Sequence, residues 1–172
     1  MIDVQADHCP LELQLDRHQA RHGAGPELFQ LGSSWEASQL LENSSGILGW
    51  LAGAHPGEEV VEHPLVETGL PLGVTSLSCA RSAAARHGFR QAVESYGRLA
   101  TDRDQPELTE RWFGAHLSWA SAYAVDGDET GTQEVLQEFR QQVRRYRPAK
   151  AAAWEERAAE LLAHARKVRE EM

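Results

Sequence analysis

Between Phe89 and Asp128 the apolar residues recur at helical spacing twice in succession, and this constrains the fold more than any other feature of the chain. Phe89, Ala92, Val93, Tyr96, Leu99 and Ala100 fall at i, i+3, i+4, i+7, i+10 and i+11. Those offsets make one broad apolar stripe on a helix. The polar stretch Thr101–Gln105 interrupts the pattern, and Pro106 is compatible with the first turn of a new helix. Leu108, Trp112, Ala115, Trp119 and Ala122 then step by 4, 3, 4 and 3, with Phe113, Ala120 and Tyr123 widening the stripe until Asp126-Gly127-Asp128 ends it. Amphipathic helices joined by a few residues run antiparallel and must turn their stripes toward each other.

The pattern extends in both directions. Upstream, Leu77, Ala80, Ala84 and His87 share helical spacing, and His87-Gly88 reads as a helix end with glycine in the left-handed cap position. Downstream, Thr130 with Gln133 forms a capping signal, and Leu136, Phe139, Val143 and Tyr146 mark a helix ending near Arg147. After Pro148, the residues Trp154, Ala158, Leu161, Ala165, Val168 and Met172 step by 4, 3, 4, 3 and 4. That seven-residue repeat predicts close antiparallel packing on the preceding helix. The expected fold is all-α, with antiparallel helical hairpins stacked as a bundle or short array.

The first 73 residues read as less regular. Pro10 opens a helix to about His22, which Gly23-Ala24-Gly25-Pro26 breaks. Ser33-Ser34-Trp35-Glu36 is a helix start whose run reaches Asn43, and Ser44-Ser45-Gly46 reads as its end. Ile47–Ala54 predicts a short buried helical segment. Pro56, Pro64 and Pro71 make residues 55–73 a proline-rich loop. The 172 residues suit a single domain, irregular over 1–73 and regular over 74–172.

Charge and composition narrow the classes. The formal net charge is −9, and residues 1–80 hold eleven acidic side chains against Arg17 and Arg21 alone. An acidic chain is a poor ligand for polyanions, so nucleic acid is not an expected partner, and the lack of a long apolar run makes a membrane an unexpected one too. No run approaches the roughly 20 apolar residues of a membrane span. Residues 1–15 carry acidic but no basic side chains, unlike a secretory or transit leader, and the expected location is the cytoplasm. Cys9 and Cys79 then read as two free thiols.

His87-Gly88-Phe89-Arg90-Gln91-Ala92-Val93-Glu94-Ser95-Tyr96 resembles the second half of a tetratricopeptide repeat. Gly88, Phe89, Ala92 and Tyr96 match its order of small turn residue, aromatic, alanine and aromatic. Ala80 and Ala83 occupy the corresponding places of a first helix, Ala83 standing where the family has an aromatic. Ala120, Tyr123, Gly127 and Asp128 resemble the end of another first helix, with Val135 and Phe139 following in the alanine and aromatic places. The resemblance covers residues 74–147. It implies stacked helix pairs forming a concave surface for a peptide or protein.

Motifs for chemistry are few. The chain has no Gly-x-Ser-x-Gly, phosphate-binding glycine loop or dinucleotide fingerprint. His18 and His22, four apart, would share one helix face and are the candidate metal ligands, with His8 and Cys9 upstream. Glu58, Glu59, Glu62 and His63 lack the Glu-x-x-His spacing of di-iron bundles. Cys79 reads as a buried inert thiol. Arg140, Arg144, Arg145, Arg147 and Lys150 are offset by Glu134, Glu138, Glu155 and Glu156, which makes a mixed solvated surface. The aromatic residues Trp112, Trp119, Tyr123 and Tyr96 are the candidate partner-binding residues, because such types dominate interface hot spots. The leading expectation is a non-catalytic protein-interaction module of the adaptor, chaperone or inhibitor kind, with no cofactor. The alternatives are a metal-binding helical protein using His18 and His22, and an enzyme with its site in the 55–73 loop.

Overall fold

The computed structural model describes residues 33–101 and 106–171, and among these every regular element is helical. The helices are α1 (Ser34–Ala54), α2 (Glu59–Ser78), α3 (Ser82–Thr101), α4 (Pro106–Ala124), α5 (Glu129–Tyr146) and α6 (Ala151–Glu171), the last preceded by a 3₁₀ turn at Pro148–Lys150. Connections of a few residues make successive helices antiparallel. Each helix packs on the next and most also on the next but one, so the bundle is stacked in chain order. The expected fold class is the one observed. His18 and His22, with the helix expected over Pro10–His22, lie outside the described residues. No helix among the described residues is long and apolar enough to cross a membrane.

The largest correction concerns the first half. Ser44-Ser45-Gly46 does not end a helix: α1 runs through it to Ala54. Ser44 and Ser45 are fully buried, and the Ser45 hydroxyl donates to the Gln91 side-chain oxygen on α3. Small residues are placed there for close approach of neighbouring helices. Ser33 occupies the N-cap position without a side-chain bond to the helix, so the expected capping box is not formed.

Of residues 55–73 only 55–58, with Pro56, form a connection; from Glu59 on they are helix. Pro64 and Pro71 sit inside α2. A mid-helix proline frees the carbonyl four residues earlier, and these carbonyls belong to the exposed Val60 and Glu67. Both positions lie on the exposed side of the helix, which continues through the prolines. The hydroxyls of Thr68 and Thr75 donate to the Pro64 and Pro71 carbonyls, each at 2.8 Å. Burial of Val61, Leu65, Val66 and Leu72 on the opposite face outweighs the local propensity.

Gly88, expected as a cap, is mid-helix in α3. A Cβ built on it would lie 2.8 Å from the Gly69 carbonyl oxygen, and one on Gly69 would lie 2.6 Å from the Gly88 oxygen. A Cβ on Gly73 would meet the Phe89 ring in the same way. Glycines on α2 and α3 thus let the two backbones touch where they cross. The turn between these helices lies earlier, where Ala80 adopts φ 55°. Ala80 N–H donates to the Leu77 carbonyl at 3.0 Å and Arg81 N–H to that of Ser76 at 2.8 Å, the Schellman pattern.

The junction at Gly127 is present as expected. Gly127 has φ 66°, Asp128 N–H donates to the Tyr123 carbonyl at 3.1 Å, and the Asp128 carboxylate caps α5 by accepting from Gly131 N–H at 2.9 Å. Asp128, rather than Thr130, is the cap. The main core lies between α3, α4, α5 and α6, around Phe113, Phe139, Trp112, Trp154, Leu136 and Val143. Along α6, Trp154, Ala158 and Ala165 are buried, in keeping with the seven-residue repeat, and the helix packs on both α5 and α4.

A cationic aromatic pocket between two helices

The structure divides the four candidate aromatic residues. Tyr96 and Trp112 are both 5% exposed and belong to the core. Trp112 stacks near Phe113, His116 and Tyr146, with ring centroids 5.4 to 5.9 Å apart. Burial raises the pKa of the Tyr96 hydroxyl, with Arg111 opposing that shift. Trp119 and Tyr123, by contrast, are only half-buried, and they line one pocket of about 250 Å³, open on one side, together with Ala83, Arg86, His87 and Arg90.

The helix register explains the division. Trp112 faces Gly97 on α3 and Tyr123 faces Arg86. In an antiparallel pair these two contacts put Arg90 opposite Trp119. The same spacing on α4 therefore meets glycine at one end, which admits a buried ring, and the exposed Arg90 at the other, where Trp119 packs on Ala85, Phe89 and Ala122 with part of its ring left uncovered. Ala83, Arg86, His87 and Arg90 fall at i, i+3, i+4 and i+7, so all four point from α3 to the same side.

Arg86 is the fixed member. Its guanidinium lies 4.2 Å from the Tyr123 ring centroid, its Nε donates to the Ala122 carbonyl at 3.3 Å, and it pairs with the Asp126 carboxylate. Ser82 donates to the same carboxylate at 2.8 Å. The Gly127 turn thus holds Arg86, which in turn holds the Tyr123 ring. Arg90 is 54% exposed and meets Glu94 at 3.8 Å, too long for a hydrogen bond. His87 is exposed.

Several other ionisable groups are held within the fold or pair on its surface. Glu62 is fully buried, its carboxylate held by Arg98 at 2.5 and 3.0 Å and by Gly57 N–H at 3.1 Å. Burial pushes its carboxyl up, but the bonds from Arg98, Ser95 and Gly57 prevail and hold it below the ordinary value of 4.5. Glu58 and Glu59 pair with His55 and His63, each at 3.2 Å, on the surface. Arg140 and Arg144 both donate to Glu155, at 2.8 and 3.0 Å, which ties α5 to α6. Desolvation raises the Glu155 carboxyl, and the two arginines outweigh that and lower it. His116 is buried, its Nδ1 3.1 Å from the Trp112 carbonyl and its Nε2 3.7 Å from Glu138. Among the described residues, no three of His, Cys, Asp and Glu come together as a metal ion would require.

The chain is thus an all-α stack of antiparallel helices with a surface pocket lined by Arg86, His87, Arg90, Trp119 and Tyr123. No protein-family model matches the chain, and no curated protein or solved structure matches it either.

Proposed function

We propose that this chain is a non-catalytic protein-interaction module of the cytoplasm, whose partner contacts the pocket between α3 and α4. The observation that carries the reading is the convergence of Trp119 and Tyr123 with Arg86, His87 and Arg90 on one open cavity of about 250 Å³. Tryptophan, tyrosine and arginine are the residue types that dominate interface hot spots. Here two aromatic residues remain partly uncovered, although the core has room for Trp112 and Tyr96. Two further features support a helical-hairpin array of the tetratricopeptide kind. Helices contact only near neighbours in sequence, and the Gly127 turn separates a helix pair. Gly88, inside α3, does not serve as a second such turn.

The test is a photoreactive amino acid at position 87, cross-linked in the native cell and followed by sequencing of the adduct. One partner is expected, captured at position 87 and not from position 153 on α6, and lost on Trp119→Ala in folded protein. Equal capture from both positions, or none from 87, overturns the reading.

A further inference from the structure

We propose that the α3–α4 pocket binds an acidic side chain, aspartate or glutamate, carried by a peptide segment with an apolar neighbour. This rests on the interaction-module reading and specifies its partner's chemistry.

Hydrogen-bond donors support it first. A guanidinium has five N–H groups. Arg86 uses two of them on the Ala122 carbonyl and Asp126, which fixes its plane against Tyr123 and leaves the rest. Arg90 borders the same cavity, and its contact with Glu94 is too long to occupy its donors. A carboxylate is the group whose two oxygens match such a fork. The cavity walls point the same way. Trp119 and Tyr123 supply apolar surface for the methylenes of the acidic residue and for its neighbour, and they lower the local dielectric in which the ion pair forms.

Charge balance selects a carboxylate over a phosphate. Asp126 neutralises Arg86, and Glu94 partly offsets Arg90. The remaining positive excess suits a single negative charge, whereas a phosphate near two charges would face both of these carboxylates. A chain with a net charge of −9 repels acidic ligands at long range, so a contact of this kind selects its ligand at short range rather than accelerating encounter. Lysine is excluded by like charge, and glutamine forgoes the ion pair.

The probe is the peptide N-acetyl-Leu-Glu-Leu amide, titrated to millimolar concentration against the full chain. The readout is the indole N–H resonance of Trp119, assigned with Trp119→Phe. Saturable movement of that resonance is expected. The Leu-Gln-Leu peptide should bind about fivefold more weakly, the size of one partly exposed charge-assisted contact. Arg90→Gln should reduce the Glu peptide to the same level while leaving the rest of the spectrum unchanged. Equal binding of the Glu and Gln peptides, preference for a phosphoserine or lysine counterpart, or no movement with any peptide overturns the proposal. The cross-link at position 87 separates the two failures. A captured segment without Asp or Glu beside the adduct removes the carboxylate assignment and leaves the module, whereas absent capture removes the module.

Discussion

Replacing glycine by alanine inside these helices should change sign with position. In a helix interior the substitution is intrinsically favourable by about 0.8–1.0 kcal/mol. At Gly46 and Gly114 an added Cβ meets nothing within 4 Å, so Gly46→Ala and Gly114→Ala should each stabilise by about 0.5–1 kcal/mol. At Gly69 the added Cβ falls 2.6 Å from the Gly88 carbonyl oxygen and 3.2 Å from the Ala92 nitrogen. A carbon and an oxygen rest at about 3.3 Å or more, so α2 and α3 must part by about 0.7 Å. A gap of that size forfeits a quarter to a half of the dispersion at every contact along the crossing. Overpacking of this kind costs about 1–3 kcal/mol. Because the obstacle is backbone, no rotamer change relieves it. Gly69→Ala and Gly88→Ala should therefore destabilise by up to about 2 kcal/mol after the propensity gain. Gly73→Ala, which meets the Phe89 ring instead, should fall between the two groups. Urea midpoints at constant m-value, read by far-ultraviolet circular dichroism, supply the comparison. If Gly69→Ala and Gly88→Ala raise the midpoint as Gly46→Ala does, α2 and α3 do not cross at backbone contact.

Three further outcomes follow from single residues. Ala80 holds φ 55° at the α2 C-terminus, so Ala80→Gly should raise stability by about 0.5–1 kcal/mol in the same urea assay, and a loss would show the left-handed turn to be misplaced. Asp128→Ala removes the acceptor for Gly131 N–H and should cost about 1 kcal/mol, with Asp128→Asn retaining most of it; equal stability of wild type and Asp128→Ala would refute the cap. The carboxyl of Glu62 lies below its ordinary 4.5, so its contribution is complete above the unfolded value and lost as pH falls through the lower folded value. Stability should thus fall below about pH 4.5, and Glu62→Gln should cost about 2 kcal/mol at pH 7 because Arg98 keeps part of its hydration. The variant should also flatten the acid-side slope; an unchanged slope in acid unfolding by fluorescence would remove Glu62 as its source.

The legible part of this sequence is the part where packing decides structure. From Phe89 onward the apolar stripes are wide, and their spacing alone places α4, α5 and α6 to within a few residues. In α1 and α2 the same reading fails because local chemistry and tertiary contact disagree. Ser44-Ser45-Gly46, Pro64 and Pro71 are breakers by propensity. Ser45 is satisfied by Gln91, a residue 46 positions away, and the prolines sit in a helix whose opposite face is buried by Val61, Leu65, Val66 and Leu72. Neither fact is encoded nearby. Gly88 misleads for the same reason: glycine marks a left-handed cap or a close crossing, and only the position of Gly69 tells which.

The candidate site shows the same dependence on register. Trp112 and Trp119 are seven residues apart and occupy nearly the same azimuth on α4, so periodicity assigns them one fate. Their surroundings differ because α3 presents Gly97 to the first and, by the same register, Arg90 to the second. The signal that separates them was present on α3 itself. Ala83, Arg86, His87 and Arg90 form a small-and-basic line at helical spacing beside the apolar stripe. The exposed His87 and Arg90 on that line mark where the seam reaches solvent. An open seam flanked by Trp119 and Tyr123 has uncovered aromatic surface that water solvates poorly. The arginines that border that surface are the groups that fit a partner's carboxylate. Packing defect and binding chemistry therefore come from the same residues, and Arg90→Leu should separate them. It should bury Trp119, raise stability by about 0.5–1 kcal/mol through added apolar area, and abolish binding of the acidic peptide. A variant that gains stability yet still binds that peptide would show that the open seam and the binding site are unrelated.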